Sequence, residues 1–459
     1  MKKQFTVTAV SLICIGSASA QSLFDLAPSN DESEPMPLTW TGGASLGFDD
    51  NAAPFFSGPD QSSSYASAYV GASFLSRTPA TTTEFFARLG VVQYLENIDS
   101  NGQDVDQDSS VAGFGLNLTN RISERLRFVS RNTLNKEREP DYSQGFQGGV
   151  TGDYLRWSTD QAVGYRWSER LGTYTGVRYD DVSYEDFGNF DRSTLTFYND
   201  FRYQLSPQTV ATFTYRLSEV DGGFVSDSTN SYYLLGLEHR FSPNTIGVVK
   251  AGVQNRDVDG GDDTSSPYIE ASLTSQVNEQ FSIRSYIRYG VEDYGRNVSI
   301  GDLATLQRPV QATDALGNPV FDASGDPVIE LDPITGAEVT EDQTVGGTVE
   351  FEGAETLRLG ITGTYVVSEE LSLNAGVNYV SLGYVESRPI TVSNGFDNET
   401  VNQADVDEDS LNLSVGFRLE LSDTMWLNGS YNFETLASEV ADSREYDRNR
   451  FNLGLNTTF

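Results

Sequence analysis

A single cysteine, Cys14, and a single histidine, His239, are all that 459 residues offer to thiol or imidazole chemistry. Zinc sites draw on Cys and His, so zinc catalysis and zinc-stapled folds are excluded. No disulfide can form within the chain. Positive charge is scarce as well. Thirty Lys and Arg stand against 66 Asp and Glu, a net charge of −36, which excludes a nucleic-acid binder built on clustered cations. No stretch approaches the roughly 20 apolar residues of a membrane helix. None sustains the 3.6-residue period of an amphipathic helix, and no phosphate-cradling glycine loop is found. Little is left for catalysis, and an enzyme is not expected.

What remains is a strand-and-turn vocabulary: 26 Phe, 23 Tyr and 42 Gly, with abundant Ser, Thr and Asn. At the N-terminus Lys2 and Lys3 precede an apolar run from Phe5 to Gly16 that closes on Ala18-Ser19-Ala20. That order reads as a secretory signal peptide over residues 1–20. Cys14 lies inside it, and Leu12-Ile13 before it do not suit lipidation. Residues 21–37 are acidic and aperiodic and read as a flexible periplasmic lead-in.

From residue 38 to 459 one unit recurs: an alternating strand, a short polar turn, a second strand, a longer acidic loop. Leu411, Leu413, Val415, Phe417, Leu419 and Leu421 oppose Asn412, Ser414, Gly416, Arg418 and Glu420. Leu155, Trp157, Thr159, Gln161, Val163, Tyr165 and Trp167 oppose Arg156, Ser158, Asp160, Ala162, Gly164 and Arg166. Similar faces run through 195–205, 233–241, 281–289 and 357–365, with weaker ones near Val111 and Ile246. Successive side chains of a strand point to opposite faces, so each strand carries one apolar and one polar surface. The short turns fall at 76–79, 121–124, 168–170, 206–208, 242–244, 278–280, 368–370 and 422–424. Eight short turns and nine longer connections give about 18 strands, with 16 as the alternative count. An even count puts both termini and all short turns at one end. The expectation is an all-β fold: one antiparallel transmembrane β-barrel with short periplasmic turns and long acidic extracellular loops.

The last stretch, Tyr446 to Phe459, follows the same rule, with Phe451, Leu453, Leu455 and Phe459 on one parity. It resembles the C-terminal strand of bacterial outer-membrane β-barrels, where a terminal Phe and apolar alternation are the signal read by the barrel-assembly machinery. With the signal peptide and the loop asymmetry, the chain resembles Gram-negative outer-membrane barrels, in style the β-barrel porins known mainly from sequence. That resemblance implies the outer membrane and its lipid as environment and a diffusion pore for small hydrophilic solutes. It transfers no catalytic motif and leaves the oligomeric state open. Tyr165, Trp167, Tyr203, Phe241, Phe281 and Phe459 fit a periplasmic aromatic girdle, and His239 shares their outward face. Trp426 has the inward parity and does not fit.

Inside such a barrel the polar parity carries the function. Arg88, Arg156, Arg166, Arg178, Arg202, Arg216, Arg284, Arg288, Arg358 and Arg418 fall on it as candidate pore-lining residues. They either pair with inward carboxylates such as Asp160, Glu238 and Glu270 or leave a positive wall beneath an acidic rim. In the loops, Asp104, Asp106 and Asp108, and Asp405, Asp407 and Asp409, are candidate weak sites for Ca²⁺ or Mg²⁺. No other cofactor is expected. The longest loop, 295–353, holds a near-repeat, Asp314–Val320 and Asp322–Val328. It reads either as a surface hairpin or as a segment narrowing the mouth. The alternative function is a binding or adhesion barrel acting through these acidic loops.

Overall fold

The computed structural model describes residues 36–52, 61–96, 98–100, 103–105, 108–138, 152–185, 191–223, 227–259, 263–292, 296–312, 319–320, 328–330, 339–387, 390–393, 398–401, 406–439 and 445–459. The expected signal peptide and most of the lead-in lie outside them. No described residue is helical. Eighteen strands close into one antiparallel barrel. They are β1 (Met36–Asp49), β2 (Ser63–Arg77), β3 (Thr81–Tyr94), β4 (Asp108–Arg121), β5 (Leu126–Glu137) and β6 (Tyr154–Arg166). Next come β7 (Leu171–Tyr184), β8 (Arg192–Ser206), β9 (Thr209–Gly222), β10 (Ser228–Ser242), β11 (Thr245–Val258) and β12 (Thr264–Gln276). The last six are β13 (Phe281–Glu292), β14 (Thr340–Val366), β15 (Leu371–Ser387), β16 (Val406–Ser422), β17 (Met425–Ser438) and β18 (Tyr446–Thr458).

Each strand pairs with its sequence neighbours, and β1 closes on β18 from Thr41↔Thr458 to Asp49↔Arg450. At the base of this seam Trp40 and Phe459 exchange backbone hydrogen bonds at 3.1 and 2.9 Å. The weakly alternating segments near Val111 and Ile246 are β4 and β11. Met36, which composition places in the lead-in, already pairs with Leu75 and opens β1.

The eight short turns share one device. A side-chain oxygen at the start of each turn accepts a backbone N–H two or three residues on, replacing a ladder bond the turn gives up. Thr78 does this for Thr81, Ser123 for Leu126, Ser168 for Leu171 and Ser206 for Gln208. Ser242 serves Asn244, Asn278 serves Phe281, Ser368 serves Leu371 and Ser422 serves Thr424.

The apolar face is outside. Leu46, Val70, Leu89, Leu235 and Val415 are all exposed on the outer surface, whereas their chain neighbours face the lumen. A closed sheet with no open edge and an apolar outer belt satisfies both demands of a bilayer. The molecule is a transmembrane β-barrel.

The longest loop carries its own strand. Arg296–Pro309 pairs with the first part of β14, down to Arg296↔Phe351, while β13 pairs with the second part. β14 has 27 residues, about 90 Å at roughly 3.3 Å per residue, so its first part stands well beyond the membrane. Within the loop Val320 N–H donates to Ala312 O and Val328 N–H to Val320 O, which ties the last residues of the two repeats together. Two smaller loop hairpins, Ile98–Ser100 with Gln103–Val105 and Ile390–Ser393 with Asn398–Val401, complete the described strands.

Candidate functional site

The inner wall is built from glycines, tyrosines and charge. Tyr174 of β7 is wholly buried and lies over Gly164 of β6, where an added Cβ would stand 2.6 Å from the ring. Tyr198 lies over Gly176 in the same way, Tyr69 over Gly43, Tyr65 over Gly47, Tyr286 over Gly360 and Phe86 over Gly115. Glycine on one strand thus makes a seat for the ring of the next, so the inner aromatics pack along the wall. These rings also hold carboxylates: Tyr198 Oη donates to Asp160 at 2.8 Å, and Tyr268 Oη donates to Glu270 at 2.9 Å.

Between the rings the charges pair across strands. Glu270 of β12 takes Lys250 of β11 at 3.4 Å and Arg216 of β9 at 3.9 Å, and Arg216 also lies over the Tyr232 ring. Arg202 of β8 pairs with Glu238 of β10, both buried. Arg131 of β5 reaches Asp160 of β6 at 3.6 Å. On β13 and β14, Arg288 stands directly opposite Arg358, and both take Glu292. Arg358 does so through two bonds, Nε at 2.9 Å and Nη2 at 2.7 Å. At the far end of the seam Arg448 grips Asp49 through Nε at 3.0 Å and Nη2 at 2.5 Å, and Arg450 approaches the same carboxylate at 3.2 Å.

The ten arginines singled out by parity therefore divide. Arg178 meets Asp180 at 2.8 Å, and Arg202, Arg216, Arg288 and Arg358 are held by wall carboxylates as above. Arg418 meets Glu420 at 3.6 Å and covers the Trp426 ring at 4.4 Å. Trp426, inexplicable as a girdle residue, is the inner stacking partner of that guanidinium. Arg88 and Arg284 are exposed on the inner parity, Arg88 over the Tyr69 ring at 5.5 Å. Arg156 and Arg166 are half-buried on the same parity.

Three further carboxylates that hold wall residues were not legible as such. Asp49 and Glu292 are the last residues of β1 and β13, and Glu408 is the third residue of β16. Glu408 takes Tyr384 Oη at 2.6 Å and Ser438 Oγ at 2.8 Å. The available signal was parity continued past the last apolar residue, as with Glu292 four places beyond Arg288.

Of the acidic loop residues, Asp106 and Asp405 lie outside the described residues. Asp104 stands opposite Asp99 in a loop hairpin. Asp108 opens β4, and Asp407 and Asp409 lie on β16, where Asp409 accepts Tyr379 Oη at 2.8 Å. Among the described residues no three Asp, Glu, His or Cys converge as a metal site. On the outer surface near the short turns, His239 shares a hydrogen bond of 2.9 Å with Thr209 and meets the Phe241 ring edge-on. Trp167 Nε1 donates to Thr173 at 3.0 Å, an interfacial anchor with its polar tip satisfied.

The sequence matches no family model and no curated protein. Among solved structures the chain is similar to OccAB4 of Acinetobacter baumannii, with 13 % identity, 93 % of this chain and 99 % of that one covered, and a TM-score of 0.44. It is similar to OpdK of Pseudomonas aeruginosa crystallised with vanillate, with 10 % identity, 92 % and 99 % coverage and a TM-score of 0.44. It is also similar to OccK2 of Pseudomonas aeruginosa in complex with glucuronate, with 9 % identity, 92 % and 98 % coverage and a TM-score of 0.42.

Proposed function

We propose that this chain is an outer-membrane channel through which small hydrophilic solutes diffuse passively, with the exposed and half-buried inner-parity arginines, Arg88, Arg284, Arg156 and Arg166 among them, lining the path and the buried ion pairs forming the wall behind them. One observation carries the reading: the barrel is polar and charged inside and apolar outside. Barrels of 16 to 18 strands enclose more space than wall side chains fill, and a lumen lined by ion pairs and tyrosines holds water. Seating the inner rings over glycines supports this further, because rings packed on the wall leave the centre clear. In the cell, Phe459 and the alternating terminal strand serve as the assembly signal. Purified, folded protein added to a planar bilayer is expected to give discrete, persistent conductance steps. Protein shown to be folded by heat-modifiable migration in a detergent gel, yet giving no steps, sinks the channel reading.

A further inference from the structure

The outer surface breaks its own rule in one place. Around the barrel, outward residues at mid-height are apolar or small on strand after strand, but not on β5 to β8. There Ser130 and Asn132 of β5, Thr159 and Gln161 of β6, Thr175 of β7 and Asn199 of β8 occupy lipid-facing positions. Register makes them one patch: Asn132 stands opposite Thr159, Ser130 opposite Gln161, Gln161 beside Val177, and Thr175 opposite Asn199. Trp157 and Tyr179 lie on one side of it and Tyr165 and Tyr203 on the other, so the polar atoms sit at the middle of the bilayer and not at its interface.

The patch is hydrogen-bonded within itself. Thr159 Oγ1 and Gln161 Nε2 donate to Asn132 Oδ1 at 2.8 and 3.1 Å. Gln161 Nε2 also reaches Thr159 Oγ1 at 2.9 Å, and Asn132 Nδ2 reaches Ser130 Oγ at 3.0 Å. Asn199 Nδ2 donates to Thr175 Oγ1 at 2.6 Å. Hydrocarbon offers no hydrogen bonds, so amides at this depth are costly unless another protein surface covers them.

We infer that this face of β5 to β8 docks a second copy of the same chain. Every group in the patch is uncharged and is an amide or hydroxyl, able to donate and to accept. It is therefore complementary to itself and not to a surface of one sign. A two-fold axis along the membrane normal brings patch onto patch while keeping both copies the same way up, as an isologous dimer requires. Four strands at about 4.8 Å spacing, over an apolar band of about 25 Å, bury roughly 500 Å² per copy. That is less than the about 800 Å² per partner of standard stable interfaces, so the dimer is reversible and depends on confinement to the membrane.

The first arm of the test leaves the patch intact, and the second removes its amides. In the full chain with Cys14→Ser, a single cysteine is placed at Val177→Cys, beside Gln161, or at Val415→Cys on β16, nine strands away on the opposite wall. Folded protein in liposomes is treated with a short bis-maleimide. Val177→Cys is expected to give a species of twice the chain mass, and Val415→Cys to stay monomeric. Adding Asn132→Leu, Gln161→Leu and Asn199→Leu to Val177→Cys is expected to abolish the dimer band. Equal cross-linking at both sites, or monomer alone from folded Val177→Cys, overturns the proposal. So does a cross-linked species in native membranes whose mass is not twice the chain, which points to a different protein. Conductance plays no part in the readout, so the dimer and the channel stand or fall separately.

Discussion

Neighbouring residues on one strand face different solvents here, and Val415 and Ser414 show how far that separates them. Val415 is 55 % exposed on the outer surface, midway along the apolar face of β16. Ser414, next to it, points inward and lies beside Gly376 of β15. An arginine at 415 meets hydrocarbon near the midplane, where a charge costs about 2–4 kcal/mol. At 414 the same side chain extends into the lumen and costs little. Val415→Arg is therefore expected to lower the midpoint of a urea refolding titration in lipid, with Ser414→Arg close to the parent. Equal losses would overturn the facing of β16. Composition hides this contrast, because a wall that alternates averages to the hydropathy of a soluble protein.

At the scale of elements, the two ends of the seam between β1 and β18 are held differently. The base has backbone pairing between Trp40 and Phe459, and the far end has Asp49 gripped by Arg448 and Arg450. Arg448 is 1 % exposed and Asp49 is 0 %. Removing one partner of a buried pair strands the other charge, at a cost of about 3–5 kcal/mol. Arg418 and Glu420 remain about one-third exposed, and such a pair contributes about 0–1 kcal/mol. Asp49→Ala should therefore lower the refolding midpoint far more than Glu420→Ala. Deleting Phe459 removes the base contact and is expected to reduce the folded fraction in the outer membrane while periplasmic degradation rises. Unchanged folded yield in both seam variants would mean that closure does not depend on these contacts. The strand count, the order and the short turns were legible in the sequence because alternation and Ser-rich turn chemistry are local signals. Asp49 and Arg448 were not. They lie 399 residues apart, and only closure of the barrel brings them together. Trp426 was illegible for a related reason: its meaning depends on Arg418 of the neighbouring strand.

Across the whole molecule, charge is divided so that the basic residues line the wall while much of the acidic excess sits in the loops. Parity alone leaves open whether the inward arginines form a positive field or cancel. The geometry favours extensive pairing, with Arg88 and Arg284 remaining exposed on the inner parity. Only a modest anion preference is then expected, since pairs a few ångströms apart project little field beyond a Debye length of about 8 Å at physiological salt. Glu292 is the informative site, because one carboxylate there holds both Arg288 and Arg358. Glu292→Gln leaves two guanidinium groups without that counter-charge and should move the reversal potential under a salt gradient toward anions. Arg284→Ala with Arg288→Ala and Arg358→Ala leaves the Glu292 carboxylate without its two cations and should move it toward cations. Both shifts should grow as ionic strength falls, because low-dielectric walls focus whatever charge is left unbalanced. If neither variant moves the reversal potential, ions do not sense this part of the wall. Permeation is then controlled by the acidic loops at the mouth.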